Sequence, residues 1–279
     1  MLGWSLEHRG EELLGHPVSL SSYVETGAPT GVALLHPWAN RLSGPEYEIA
    51  GRRVRLDMRA PNVHADAHGL PIHGLVAGSR RWAVVAHESS RLTARLDFAS
   101  GPELMAAFPF EHVLELTAAL FEDGLRIGVT LTPSGDAPVP VAFGFHPYLT
   151  LPRVPRADWR LRLPAATRLS LDDRGLPTGQ RTAVAARDAP LGAAALDDHF
   201  TDLGPDPAFT LSGGGRALTV RFLEGYTHLQ VFAPTGKDVV ALEPMTAPTD
   251  ALRSGEGLRC VTEPFRAVFA IELDLDAAP

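Results

Sequence analysis

Cysteine is almost absent from this chain of 279 residues, which contains only Cys260. A single cysteine cannot form an internal disulfide, and no Cys/His run has the spacing of a zinc site. His64, His68 and His73 are close in sequence, but their intervals match no recognised metal set. We therefore expect a reducing, cytoplasmic location and no metal centre.

Positive charge and long apolar runs are also scarce. The 25 Lys and Arg residues face 33 Asp and Glu residues, a formal net charge of −8, so the cationic excess that nucleic-acid binding requires is missing. No uncharged apolar stretch of about 18 residues occurs, and the first residues are acidic and polar where a secretory signal would be basic and then apolar. We expect neither a nucleic-acid nor a membrane partner.

Helical periodicity is scarce as well, whereas alternation of apolar and polar residues is frequent. Alternation between residues 111 and 132 is interrupted by Asp123-Gly124, a strong short-range signal for a β-hairpin. Alternation also runs from Phe269 to Leu275, which indicates a half-buried antiparallel strand. Further strand candidates are residues 31–36, 47–50, 54–58, 92–98, 139–149, 159–163, 217–223, 229–232 and 239–242.

These closely spaced segments, rich in β-branched and aromatic residues, predict an all-β protein. The Arg-, Ala- and Pro-rich region 152–196 is the best candidate for a domain boundary. Trp159, Leu161 and Leu163 still alternate within it. We therefore expect a single domain over residues 1–279, and the sequence has no internal repeat at a fixed period.

Polar residues interrupt the β-pattern in the segment 36–41. Trp38 offers a flat apolar face and Arg41 offers five donors, which together suit the C–H faces and hydroxyl groups of a sugar. The structural alternative is a turn in which the arginine caps carbonyl groups.

Two histidines and a glutamate are the candidates for proton transfer. His73 precedes Gly74, and His146 lies near the end of an apolar strand. Each is either a hydrogen-bonded structural residue or a group that gives or takes a proton, because the unperturbed pKa of imidazole lies near neutrality. Glu243 ends an apolar strand, where burial would raise the pKa of its carboxyl and make it a better base. Asp197 and Asp198 form a carboxylate pair in what reads as a solvated turn.

Five motifs, taken in order, resemble those of the aldose 1-epimerase (galactose mutarotase) family, most closely its bacterial mutarotase-like subgroup. They are HPWANR at 36–41, IHGLV at 72–76, GFHPYL at 144–149, LDDHFTDL at 196–203 and ALEPMTAPTDAL at 241–252. The resemblance implies a single-domain antiparallel β-supersandwich with a sugar cleft and no metal or organic cofactor. It also implies interconversion of the α and β anomers of a free aldose by acid/base ring opening.

The resemblance assigns the chemistry to three residues. Glu243 matches the family's catalytic base and His146 its acid, while His73 matches a second histidine that holds and polarises the region of the ring oxygen. Since Glu243 must be ionised while His146 is protonated, we expect a bell-shaped pH dependence. The other histidines, His199 and His228 among them, receive no role in the site.

The resemblance also implies a set of sugar-binding residues. Arg41 and Asp197 match residues that hydrogen-bond the sugar hydroxyls, and Asn40 and Trp38 accompany Arg41 in the same motif. The family's aspartate lies three residues before an aromatic, which selects Asp197 over Asp198. The sequence departs from the galactose-specific pattern after the first histidine and in the fourth motif, so the identity of the monosaccharide and the oligomeric state stay open.

Three other functions compete with this interpretation. A carbohydrate-binding protein could keep the cleft without turnover. A glycosidase could use Asp197 and Glu243 as paired carboxylates, with a separation of about 5–5.5 Å or about 6.5–9.5 Å. A mutarotase for an anionic sugar, phosphorylated or sulfonated, could draw positive charge from four arginines. These are Arg52, Arg53, Arg80 and Arg81.

Overall fold

The computed structural model describes residues 1–276. The helices in this range are α1 (Leu20–Thr26), α2 (Pro102–Ala107) and α3 (Ala251–Ser254), with 3-10 turns at Phe98–Ser100 and Arg156–Asp158. The strands are β1 (Leu2–Gly3), β2 (Glu7–His8), β3 (Glu11–Glu12), β4 (Val32–Leu35), β5 (Glu46–Ile49), β6 (Arg52–Arg55), β7 (Ala83–His87), β8 (Arg91–Asp97), β9 (His112–Phe121), β10 (Gly124–Pro133), β11 (Val139–Val141), β12 (Gly144–Leu149), β13 (Arg160–Leu163), β14 (Ala166–Leu171), β15 (Pro177–Val184), β16 (Arg187–Pro190), β17 (Leu196–Thr201), β18 (Ala208–Gly213), β19 (Arg216–Glu224), β20 (His228–Ala233), β21 (Val240–Met245), β22 (Arg259–Val261) and β23 (Phe265–Asp274).

Two large antiparallel sheets form the body of the protein. The first sheet has eight strands in the order β1-β4-β12-β21-β20-β17-β14-β15, and the second has nine in the order β16-β13-β18-β19-β23-β10-β9-β8-β7. Three two-stranded sheets, β2-β3, β5-β6 and β11-β22, are the other sheets in the described part of the chain. The predicted all-β, antiparallel architecture is confirmed.

The hydrophobic core lies between the two large sheets. Phe145 on β12 and Phe269 on β23 meet with ring centroids 5.1 Å apart, and both are buried. Burying one such ring contributes about 1.5–3 kcal/mol. Because successive residues of a strand point to opposite faces, His146 and Tyr148 lie on the side of β12 away from Phe145. This outer face of the first sheet carries the polar groups described below.

The predicted hairpin is confirmed in β9 and β10, where Phe121 pairs with Gly124 across the turn. The predicted C-terminal strand is β23, which pairs with both β10 and β19. The region 152–196 is not a boundary between domains, since it supplies strands β13 to β16 to both large sheets. Residues 277–279 of the predicted domain lie outside the described residues.

The prediction of one continuous strand over 139–149 was wrong. The segment divides into β11 and β12 because Ala142 and Phe143 direct their carbonyl groups to loops rather than to a neighbouring strand. The Ala142 oxygen accepts from the N–H of Ala39 at 2.8 Å, and the Phe143 oxygen accepts from the N–H of Thr246 at 3.0 Å. These bonds tie the start of β12 to the two motif-bearing loops.

Candidate active site

His146 and Glu243 lie on the neighbouring strands β12 and β21 at directly opposed positions. The pairing of Gly144 with Met245 fixes this antiparallel register. Nε2 of His146 is 3.1 Å from Oε1 of Glu243. Only 1% of the Glu243 side chain is exposed, so the two groups face each other away from bulk water.

The row of polar side chains continues across the first sheet. Glu243 pairs with Gln230 on β20, and Gln230 pairs with His199 on β17. Since directly paired residues share one face of a sheet, all these side chains point to the same side. We call this set the polar row. It consists of His146, Glu243, Gln230 and His199.

Asp197 joins this face, whereas Asp198 does not. Asp197 is two residues from His199 on the same strand and therefore shares its face. The Gln230 amide Nε2 donates a hydrogen bond to Oδ1 of Asp197. Asp198 points to the opposite face, where its carboxylate lies 3.7 Å from Arg168.

His73 reaches the pair from a loop. Its ring stands edge-on to His146 with centroids 5.6 Å apart. The backbone N–H of His73 donates to the backbone carbonyl of Asn40 at 2.9 Å. The next residue, Gly74, has φ +72°, and a Cβ added there would lie 2.1 Å from the carbonyl oxygen of His36. Only glycine permits this approach, which holds the loop of His73 against the end of β4.

Arg41 lies close to the same groups. Its Nε donates a hydrogen bond to Oδ2 of Asp66 at 2.7 Å. Burial raises the pKa of Asp197, and the charge of Arg41 opposes that rise. Burial lowers the pKa of His73 well below its ordinary value, with His146 and then Arg41 lowering it further. The guanidinium is therefore near enough to act on the site electrostatically.

Asn40 and Trp38, the other two predicted sugar-binding residues of this motif, are both buried. The Asn40 amide Nδ2 donates to Sδ of Met245 at 3.4 Å, while its carbonyl holds the loop of His73. Trp38 is 1% exposed and packs in the main hydrophobic cluster. The Trp38 ring has little open surface in this structure, and its contact with a sugar stays a prediction.

Burial controls the electrostatics of the central pair. It raises the pKa of Glu243 well above its ordinary value, the charge of Asp197 adds to that rise, and the charge of Arg41 opposes it. Burial also lowers the pKa of His146 to about 3. Both shifts disfavour the charged forms, since a charge loses solvation when it leaves water. The pair therefore tends to hold one proton between the two groups.

Several buried polar atoms on this face have no hydrogen-bond partner within residues 1–276. They are Oε2 of Glu243, Nδ1 of His146, Nδ1 of His73, Oε1 of Gln230 and both ring nitrogens of His199. Each buried polar atom without a hydrogen-bond partner lowers the stability of the fold by about 1–3 kcal/mol. A ligand rich in hydroxyl groups could supply partners to this cluster of donors and acceptors.

Sequence reasoning missed Gln230, His199 and Asp66 as members or neighbours of the site. Gln230 and His199 sit at buried, alternating strand positions that resemble core positions, so only the strand register reveals them. His228 also lies close, with its ring 5.5 Å from that of His199. Asp66 had a detectable signal, because the sequence around it recurs later in the chain.

Three of the four arginines considered for an anionic sugar contact other groups of the protein, and Arg80 is exposed. Arg53 forms an ion pair with Glu48, and Arg81 forms one with Glu103. Arg52 is on β6 and lies 5.6 Å from the centre of the Phe110 ring. Within residues 1–276, no group of three or more His, Cys, Asp or Glu side chains is arranged to hold a metal ion. In the same range, no helix has the length and apolar character needed to cross a membrane.

The chain is similar to several known proteins. It is 26% identical over 249 residues to YihR, an uncharacterized protein of Escherichia coli (strain K12), with 85% of this chain and 77% of that protein covered. A galactose mutarotase-like protein from Clostridium acetobutylicum superimposes with a TM-score of 0.80 at 16% identity, covering 94% of this chain and 86% of that chain. Galactose 1-epimerase from Lactobacillus acidophilus NCFM gives a TM-score of 0.72 at 17% identity, covering 98% and 89%.

These solved structures establish the fold, a galactose mutarotase-like antiparallel sandwich, as the motifs predicted. A family model described as aldose 1-epimerase matches residues 2–265. This chain therefore belongs to the aldose 1-epimerase family, and with it to the isomerase (mutarotase) class of enzymes.

Proposed function

We propose that this protein interconverts the α and β anomers of a free aldohexose, with Glu243 as the base and His146 as the acid. The observation that carries the proposal is the buried contact of 3.1 Å between Nε2 of His146 and Oε1 of Glu243. This contact leaves the other polar atom of each side chain, Nδ1 and Oε2, without a partner in the described part of the chain. One acceptor and one donor are thus held side by side for a substrate.

Ring opening needs two proton transfers in opposite directions. Oε2 of Glu243 takes the proton of the anomeric hydroxyl, and Nδ1–H of His146 gives a proton to the ring oxygen. The bond between C1 and the ring oxygen breaks with its electron pair on that oxygen, while the C1 carbonyl forms. The products are the open-chain aldehyde, a neutral carboxyl and a neutral imidazole.

Ring closure reverses these transfers after rotation about the C1–C2 bond. The chain hydroxyl that contains the former ring oxygen attacks the other face of the aldehyde and returns its proton to Nδ1 of His146. The carboxyl of Glu243 returns its proton to the carbonyl oxygen. The catalyst regains its starting state, so the cycle consumes no co-reactant.

The environment suits this sequence of protonation states. Burial disfavours the ionised carboxylate and the imidazolium, so the state that accompanies the open-chain sugar is stabilised relative to the starting ion pair. Asp197, Arg41 and His73 surround the pair and have the donors and acceptors that bind sugar hydroxyls. This arrangement lowers the energy of the charge-neutral half of the cycle.

The test is the rate at which freshly dissolved α-D-glucose and α-D-galactose reach anomeric equilibrium, followed by polarimetry with purified protein. We expect acceleration by the wild type and a loss of about 10²–10⁴-fold in Glu243→Gln, since the amide cannot accept the proton. Glu115→Gln, at an exposed position of β9, is the matched control and should keep full activity.

Other outcomes would point to the competing functions. Sugar binding without acceleration in the wild type would favour a carbohydrate-binding protein. Hydrolysis of aryl glycosides that is lost in Glu243→Gln would favour a glycosidase. Full activity in Glu243→Gln would overturn the assignment of the base.

A further inference from the structure

Two loops of this protein share the sequence Asp-x-x-Gly-Leu-Pro. The first loop covers residues 66–71 (DAHGLP), and the second covers residues 172–177 (DDRGLP). In the first loop Oδ1 of Asp66 accepts from the N–H groups two and four residues later, at 2.8 and 3.0 Å. In the second loop Oδ1 of Asp172 accepts from the equivalent N–H groups at 2.9 and 3.0 Å.

The backbones of the two loops match as well. Their glycines, Gly69 and Gly175, have φ values of +74° and +72°. Each glycine N–H donates to the carbonyl of the aspartate three residues earlier, at 3.0 Å in the first loop and 2.9 Å in the second. The two loops are therefore copies of one local structure, built by one sequence pattern.

Both loops meet the side chain of Arg41. Oδ2 of Asp66 accepts from Nε of Arg41 at 2.7 Å. A Cβ added to Gly175 would lie 2.6 Å from Nη1 and 3.1 Å from Cζ of Arg41. One loop thus binds the guanidinium at Nε, and the other covers it at Nη1.

One sequence difference between the loops explains why the aspartate of the first loop binds Arg41 and that of the second loop does not. In the second loop Oδ2 of Asp172 binds Arg174 of the same loop, at 3.2 Å from Nε and 3.1 Å from Nη2. The first loop has His68 at the equivalent position, so Oδ2 of Asp66 accepts from Arg41 instead. The side chain of Asp66 is only 7% exposed, which shields this ion pair from water.

We propose that the two loops clamp Arg41, with Asp66 and Gly175 as positioning residues that hold its guanidinium in place to bind the sugar. This inference rests on the proposed function. Because Asp66 uses only Nε, the N–H donors of the Nη groups that Gly175 does not cover are available to sugar hydroxyls. A charge-assisted bond and a close backbone contact fix the planar group in one orientation.

Two matched pairs of variants test the clamp. Asp66→Asn keeps an oxygen for the two loop N–H groups but turns an NH₂ donor toward the Nε–H of Arg41. Asp172→Asn makes the same change in the loop whose aspartate does not contact Arg41. Gly175→Ala pushes a methyl group into the guanidinium, whereas Gly51→Ala, in the turn between β5 and β6, carries similar backbone strain at φ +73° with nothing within 4 Å of the added carbon.

We expect KM for the aldose to rise at least about tenfold in Asp66→Asn and Gly175→Ala, the scale of a lost hydrogen bond to a charged group. The controls Asp172→Asn and Gly51→Ala should keep the wild-type KM even where thermal stability falls. Equal effects on KM within each pair would overturn the proposal, because the loops would then act only through stability.

A spectroscopic reading separates this proposal from the proposed function. The ¹⁵N–¹H signal of the Arg41 Nε–H, assigned by its loss in Arg41→Lys, should be sharp and slow to exchange in the wild type. It should broaden or shift in Asp66→Asn and Gly175→Ala and stay unchanged in the two controls. This result holds even if no sugar is turned over, and an unchanged signal in all four variants would overturn the clamp.

Discussion

Nε2 of His146 and Oε1 of Glu243 are 3.1 Å apart, at directly opposed and buried positions of neighbouring antiparallel strands. Because the strands pair at Gly144 and Met245, the backbone register places the two residues opposite each other. Burial lowers the pKa of the imidazole and raises that of the carboxyl. Two coupled groups of this kind titrate as a pair, and the pair holds a single proton over a wide pH range.

The first prediction concerns the alkaline limb of the pH profile. We expect kcat/KM to fall as pH rises through the raised pKa of Glu243, since the pair then loses the proton that His146 must donate. The charge of Asp197 contributes to that raised pKa. Asp197→Asn should therefore move the limb to lower pH, as measured from initial rates across the alkaline range.

The matched control for this shift is Asp198→Asn, because Asp198 points to the opposite face of β17. It should leave the limb where it is in the wild type. A shift of the limb to higher pH in Asp197→Asn, or an equal shift in both variants, would contradict the electrostatic assignment.

The second prediction concerns the acid. His146→Asn should lower kcat by about 10²–10⁴-fold with KM within about twofold of the wild type, because the lost group acts on the ring oxygen only during bond cleavage. His87→Asn, at an exposed position of the edge strand β7, should have wild-type kinetics. An increase confined to KM would instead make His146 a binding residue.

Local patterns were enough to predict much of the fold. Alternation around Asp123-Gly124 predicts the β9-β10 hairpin because period-2 burial and turn chemistry are both encoded within a few residues. The two-turn helix α1 was not predicted, since seven residues are too few to show a helical period. Its signals are local caps, namely the Ser19 hydroxyl that accepts from Ser22 N–H and the left-handed Gly27 that ends it.

The site was predictable only where its residues lie within motifs. Glu243 and His146 each sit in a motif, and the strand register then brings them together. Gln230 had no such signal, because its importance comes from its pairing partners on β21 and β17. Trp38, three residues before Arg41 in the same motif, belongs to the main hydrophobic cluster, which the motif alone does not reveal.

The third prediction uses the alternation of β17 to resolve the carboxylate pair. Asp197→Asn should raise KM for the aldose about tenfold, the scale of a lost hydrogen bond to a charged group. Asp198→Asn should leave KM unchanged, since its partner is Arg168 on the other face. Initial rates over a range of sugar concentrations would distinguish the two. An effect in Asp198→Asn alone would place the opposite face of the strand in the site.

The last prediction concerns stability at acid pH. Seven histidines are buried, and burial lowers the pKa of each below its ordinary value of 6.5. They are His36, His64, His73, His112, His146, His199 and His228. Below about pH 6.5 the unfolded chain takes up protons that the folded chain does not, so stability falls as pH falls.

The loss of stability continues until the pH reaches the pKa values of the histidines in the folded protein. These pKa values are about 4 for His112 and for His228. Glu243 and Asp197 have the opposite sign, because a raised carboxyl pKa adds stability at low pH, but they are two groups against seven. We expect the free energy of unfolding, measured with urea, to be lower at about pH 5 than at about pH 7 by several kcal/mol.

His87→Asn, which changes an exposed histidine of β7, should not alter this slope. His36→Gln should reduce it, because His36 is fully enclosed and its Nε2 lies 2.9 Å from Nε2 of His112. An equal free energy of unfolding at both pH values would show that the buried imidazoles take up protons in the folded state. In that case burial would not disfavour the imidazolium of His146 as its lowered pKa implies.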